Sequence, residues 1–537
     1  MRFRRFLPAL IPVVFGLGGR VTAQSNDQRW DGLIENVSIT NQFSFPEPPP
    51  AANGPSHFGR HAVSADGRFV IFMADAPNLG YYSLALYMRD RNTSLTRLLL
   101  GGPVIDPTLS SDGHHVAFQV CDPMGHPEGS RDICDVYALD LDTWTWTNMS
   151  SLPDGTPGDG DSGQPTISGN GRFVVFRTKA TNLSAPGAPG EYQLVLRDRD
   201  ADGNGIFDEA GTATLETISV APEGAAGSGP SETAEVSDDG RFVAFRSKAS
   251  NLVVGDTNGV WDLFLRDRAF RTTRRINLRA DGTESTSPID SPAISMTPDG
   301  AFIAFTSADG LLAPGSIDDT NETRDVFVYS TFNAVMSRVD VGWGWPIAGG
   351  YVPGNGPTEW PTLSADGRYI TVQSAATNVE VPGPGGSTQV YVYDRLLQKP
   401  TRVSINPDAS LPDRDCVEPQ LSADGSVVVF HSTATNLRGN VAGDVPQIYA
   451  AVHFEVTPQQ VTVGAGAGGI GSFTVTTQQH TNWFASWDWN AYWFSIVTPP
   501  FGVGSGTMTF AAQQVNPDPV ARTVMLTVLS KTVSITQ

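Results

Sequence analysis

The sequence predicts an all-β chain, a ring of seven four-stranded sheets followed by a smaller β domain. Three observations lead there. Glycine and proline are abundant, 55 and 39 of 537 residues, while only 17% of residues are charged, a balance of many turns and few helices. A Ser-x-Asp-Gly turn followed by an alternating apolar run recurs seven times. Near residue 453 the repeat stops and a different strand-and-turn pattern takes over.

The first segment in chain order reads as an export leader, residues 1–23. Arg2, Arg4 and Arg5 precede an apolar run from Phe6 to Leu17, and Val21-Thr22-Ala23 supplies a small-residue cleavage pattern. The run carries Pro8 and Pro12 and is too short to span a bilayer, and no later apolar stretch is long enough. No cysteine lies near the cut, so a lipid anchor there is not expected. The product is expected to be a soluble monomer, periplasmic or secreted. Losing the leader removes four arginines and moves the formal charge from −21 to −25. Such a surface repels polyphosphate, which disfavours nucleic acid as a partner and leaves neutral glycans, basic protein surfaces and divalent cations.

Residues 33–452 carry the repeat. Its turns include Ser64-Ala65-Asp66-Gly67 before Arg68-Phe69-Val70-Ile71-Phe72, Ser111-Asp112-Gly113, Asn170-Gly171 and Asp239-Gly240, with the last three at Asp299-Gly300, Asp366-Gly367 and Asp424-Gly425. Asp-Gly and Asn-Gly supply the positive φ angles of a tight hairpin, so each turn joins a first strand to a second. A third alternating run follows, such as Leu194-Val195-Leu196-Arg197-Asp198, and then a short fourth. Four strands per unit make one blade of a seven-bladed β-propeller. The turns are 46 to 69 residues apart, so the excess over a compact repeat sits in loops, where function concentrates. The seventh unit lacks a fourth strand, and residues 35–40 look like the missing one, so the earliest strand is expected to complete the last sheet and remove its open edge.

These repeats resemble the PD40 (WD40-like) repeats of TolB-type β-propellers, whose signature is a Ser-Pro-Asp-Gly-like turn before an apolar strand ending in Phe. The resemblance covers roughly residues 33–450 and implies fold rather than function. TolB has a separate N-terminal domain, and nothing of that kind fits between Gln24 and Leu33, so a role in the Tol system is not carried over.

Residues 454–537 form the second domain. Trp483-Phe484-Ala485, Trp493-Phe494-Ser495-Ile496, the Gly502 to Thr507 segment, Asn516, Arg522 and the terminal Val533-Ser534-Ile535-Thr536-Gln537 resemble a BACON domain. That resemblance implies an immunoglobulin-like β-sandwich and a carbohydrate- or mucin-binding role. Trp487, Trp489 and Tyr492 are additional clustered aromatics, with flat faces suited to sugars or peptides, though packing is the alternative.

Candidate sites are few. Asp200-Ala201-Asp202-Gly203-Asn204-Gly205-Ile206-Phe207-Asp208 has the spacing of a calcium loop: Asp200, Asp202, Asn204 and Asp208 offer side-chain oxygens and Ile206 a carbonyl. It resembles the calcium loops of integrin-type propellers and dockerin-like repeats, and a structural Ca²⁺ is expected. The related stretches Asp256 to Asp262 and Asp319 to Asp325 read as capped turns. Cys121 and Cys134 flank one hairpin connection and are expected to pair after export, leaving Cys416 as a small buried residue. Trp343, Trp345 and Tyr351, on a Gly-rich connection between units, are candidates for a binding face over the channel, or anchors of that loop.

No nucleophile elbow, zincin or P-loop string occurs, and Gly160-Asp161-Ser162-Gly163 lacks the partners of a serine-protease triad. Carboxylates are too numerous for a catalytic pair to be picked. The sequence is therefore read as a non-catalytic exported binding or scaffold protein. The alternative is a polysaccharide hydrolase or lyase with carboxylates at the channel mouth. Two carboxylates and a basic residue in one closed pocket would favour the enzyme, and an open aromatic face the binder.

Overall fold

The structure is a computed structural model. It describes residues 34–537 except 40–50, 82, 122–132, 187–189, 314–322, 340–353, 380–386, 407–409 and 438–444, and short stretches of the last domain (459, 465, 478–481, 488–492, 499–500, 504, 518–519 and 529–530). Among the described residues there are nine sheets and no α-helix. The leader lies outside them. No helix among them is long and apolar enough to cross a membrane.

Seven sheets of four strands occupy residues 34–452. Six are built from consecutive strands, within residues 56–101, 104–148, 162–217, 231–275, 294–339 and 358–402, called units one to six here. Unit seven uses Cys416–Leu421, Val427–Ser432 and Gln447–Val452, and its fourth strand is Ile34–Asn36 from the start of the chain. The register is antiparallel, with Ile34 opposite Ala451 and Asn36 opposite Tyr449. Ser38 Oγ donates to Gln447 Oε1 at 2.8 Å, so a buried polar pair fixes that register as well.

The turns differ from the hairpin the sequence suggests. Only the glycine is at positive φ, 68° at Gly67 and Gly240, while the Asp before it is not. Instead the Ser side chain closes the turn. Ser64 Oγ donates to Asp66 Oδ1 at 2.7 Å and accepts the Phe69 amide at 2.9 Å, and the same pair of bonds forms at Ser110, Ser168, Ser237, Thr297, Ser364 and Ser422. In four units the Arg after the glycine forks onto the last Asp of the third strand: Arg68 on Asp90, Arg172 on Asp198, Arg241 on Asp267 and Arg368 on Asp394. A bidentate guanidinium-carboxylate pair fixes geometry as well as charge.

Hydrogen bonds run from turn to turn and return to the first. The Ala65 amide donates to Ser111 O, Asp112 to Gly169 O, Gly169 to Asp238 Oδ1 and Asp238 to Pro298 O. Leu363 then donates to Ser295 Oγ, Ala365 to Ala423 O, and Asp424 back to Ala65 O. The turn glycines allow this closeness, since a Cβ on Gly240 would lie 2.6 Å from the Phe173 ring of the preceding unit. Between neighbouring units the second-strand aromatics, such as Phe118, Phe176, Phe245 and Phe305, are fully buried.

Residues 454–536 form two sheets, of four and five strands, that share one apolar cluster including Phe473, Met508, Phe510, Leu526 and Ile535. Gln460–Thr462 pairs in parallel with Ser534–Thr536.

Candidate functional site: the central cavity

The first strand of several units is broken by a β-bulge. Register shifts fall between Ile105 and Thr108, Gly163 and Thr166, Glu232 and Ala234, Glu359 and Thr362, and Val417 and Gln420. A bulge re-aims a side chain that would otherwise alternate with its neighbours. The bulged residues are Asp106, Gln164, Thr233, Trp360 and Glu418, each six positions before the Asp or Asn of its turn. All five lie at positive φ, between 47° and 56°, a region that costs non-glycine residues of order 1–3 kcal/mol each.

All five line one cavity of about 260 Å³, to which every unit contributes; Arg60 holds the equivalent position in unit one and Pro292 comes from unit five. The cavity thus joins two carboxylates, one guanidinium and the flat indole of Trp360. Two of its buried polar atoms, Thr108 Oγ1 and Gln164 Oε1, make no hydrogen bond.

Glu418 is held by a second histidine-based layer. His431 Nδ1 faces Glu418 Oε2 at 2.8 Å while Nε2 accepts the Phe58 amide at 3.1 Å, which places the ring proton on Nδ1, toward the carboxylate. That hydrogen bond keeps the Glu418 carboxyl below the usual range despite its burial. Arg60 reaches from unit one to unit four, where Nη1 meets Glu235 Oε1 at 3.1 Å and His61 Nε2 meets Oε2 at 2.6 Å. These are units that do not touch in the turn-to-turn circuit.

The sequence did not single out these residues, although a signal was there. Asp106-Pro107, Gln164-Pro165, Trp360-Pro361 and Glu418-Pro419 are four X-Pro pairs at one fixed distance from the repeat turn. The residues expected to bind ligand lie elsewhere. Trp343, Trp345, Tyr351, Trp489 and Tyr492 fall outside the described residues. Trp487 packs edge-on against Phe494 in the last domain, 6.3 Å between centroids.

The 200–208 loop connects the third and fourth strands of unit three. Asp200 Oδ1 and Oδ2 accept the Asn204 and Gly205 amides, and Asn204 Nδ2 donates to Asp202 and Glu209. Asp208 is gripped by Arg199 at 2.7 and 2.9 Å, and Ile206 is exposed. In this arrangement Asp208 serves Arg199 rather than the loop interior. Among the described residues no group of three or more His, Cys, Asp or Glu side chains is placed to hold a metal ion. Cys121 and Cys134 stand opposite each other in unit two and are disulfide-bonded, and Cys416 is buried with a free thiol.

No family model matches the chain, and no curated protein does. Solved structures of similar fold include an oligogalacturonate lyase in complex with manganese, at 12% identity and TM-score 0.44 over 79% of this chain and 98% of that one. TolB from Acinetobacter baumannii is similar at 12% identity and TM-score 0.33, over 90% and 88%. A prolyl endopeptidase is similar at 12% identity and TM-score 0.43, and this chain spans only 55% of its length. At such low identity these likenesses show the fold alone, an all-β chain of propeller type. They also correct one expectation. The sequence reads as non-catalytic for want of a motif, yet solved structures of similar fold include a lyase, a prolyl endopeptidase and an acylaminoacyl peptidase. A missing local motif does not mark such a chain as a non-enzyme, because propeller sites are assembled from many units.

Proposed function

We propose that the chain is an exported seven-bladed β-propeller of TolB-like type followed by an immunoglobulin-like, BACON-type sandwich, and that its central cavity holds and cleaves a carbohydrate. The reaction is hydrolysis or elimination on a polysaccharide. One observation carries this reading: two carboxylates, Asp106 and Glu418, share a small cavity with Arg60 and Trp360.

A sugar ring matches that lining in kind. Its hydroxyls pair with the carboxylates and the guanidinium, and its apolar face stacks on an indole. The volume, near the low end of ligand pockets, suits one ring with the rest of the chain outside. Glu418, kept ionised by His431, is the base; Asp106 is the second carboxylate that either chemistry employs to move a proton. The experiment is turnover of a panel of polysaccharides by the intact protein and by Asp106→Asn, Glu418→Gln and Trp360→Ala. Loss of about 10²- to 10⁴-fold in kcat for the first two is expected, with a raised KM for the third. Unchanged turnover in both carboxylate variants would sink the assignment.

Calcium in the 200–208 loop is kept as a proposal that rests on the spacing of its oxygen-bearing residues. Arg199 would have to share Asp208 with the ion.

A further inference from the structure

Units three and four carry the same triad twice, at the same register. In unit three Arg177 and Lys179 lie over the ring of Tyr192, at 4.3 and 4.6 Å from its centroid. In unit four Arg246 and Lys248 lie over Trp261, at 4.9 and 5.4 Å. Each aromatic immediately precedes a third strand, and Thr178 pairs with Gln193 as Ser247 pairs with Asp262. Glu232 ties the two triads together, accepting from Arg177 at 2.7 Å and from Arg246 at 2.6 Å. Glu232, the carboxylate that joins the two triads, is the chain neighbour of Thr233, which lines the cavity.

Two guanidiniums share that single carboxylate, and two lysines share their aromatic faces, on a chain whose formal charge is −21. The whole sequence has four lysines, and two of them are Lys179 and Lys248. Both are exposed, and neither has an ion-pair partner among the described residues. Arg177 Nε and Arg246 Nε are buried donors with no hydrogen-bond partner. Cations held over aromatic faces are positioned rather than trailing in solvent, and a positive sector on an acidic body draws anions to itself.

We infer that this doubled Arg-Lys-aromatic rim selects an acidic polysaccharide, a chain of carboxylate-bearing sugars, and steers it into the cavity. The inference rests on the reading of the cavity as a saccharide site and names its substrate class. Neutral glycans gain nothing from the rim.

The test uses the intact protein with alginate as the carboxylate polysaccharide, dextran as the neutral one and poly-L-glutamate as an acidic peptide, each at low and high salt. Alginate is expected to bind tightest and to weaken as salt rises. The exposed pair Lys179→Gln/Lys248→Gln should weaken alginate binding about ten-fold and leave dextran unchanged. Equal binding of dextran and alginate, equal binding of poly-L-glutamate and alginate, or indifference to the lysine changes would overturn the proposal. Lysine-dependent alginate binding by a protein that cleaves none of the three supports the rim and removes only the cavity chemistry. The Asp106→Asn/Glu418→Gln double variant separates the two further: it should lose turnover while keeping lysine-dependent binding.

Discussion

Single residues here are fixed by two demands at once. Gly240 takes a φ of 68° and also lets the Phe173 ring of the preceding unit approach to where its side chain would be. Gly240→Ala therefore adds backbone strain to a clash with a buried aromatic, and a loss of about 1–3 kcal/mol is expected, read from denaturant midpoints. Glu284 shows the electrostatic counterpart. Hydrogen bonds from the Thr257 hydroxyl and amide, together with Arg275, lower its carboxyl from an ordinary 4.5 to about 2. The folded chain binds that proton less readily than the unfolded one, so the stabilisation is complete above pH 4.5 and is lost as pH falls through about 2. Glu284→Gln should lower Tm at neutral pH and flatten the decline across that window. An identical slope in both proteins would show that the carboxylate contributes nothing.

At the scale of strands and loops, the sequence was most readable where structure is local. Each turn announces itself because Ser, Asp and Gly satisfy one another within six residues, as Ser64, Asp66 and Phe69 do. The cavity was unreadable for the opposite reason. Asp106 and Glu418 are more than three hundred residues apart and meet only because two bulges in different units turn inward. Composition draws attention to aromatic loops such as 343–351 rather than to an ordinary-looking Glu-Pro or Gln-Pro pair. The 200–208 loop lies between these cases, since its spacing is legible while the grip of Arg199 on Asp208 is not. Millimolar calcium is expected to raise Tm by a few degrees, and Asp202→Asn to cancel the rise. No shift with calcium or with a chelator would mean that the spacing serves the turn alone.

For the molecule as a whole, the decisive pairing is Ile34–Asn36 against Gln447–Val452. Ile34 is almost fully buried there, and Ser38 and Gln447 lock the junction. Ile34→Asp places a charge in that apolar seat and leaves one edge of unit seven open. A fall in Tm with concentration-dependent association is expected, since unpaired edges recruit other chains. Light scattering together with thermal melts measures both, and a variant that stays monodisperse with an unchanged Tm would show that closure does not depend on this strand.

The same junction also orders events in time. Ser38 and its partner Gln447 are separated by 409 residues, so a chain emerging from the ribosome makes one half of the clasp long before the other exists. Assembly of the last unit has to wait for almost the entire polypeptide, and contacts of such long range make folding slow. Until then the earliest strand travels without its permanent partner.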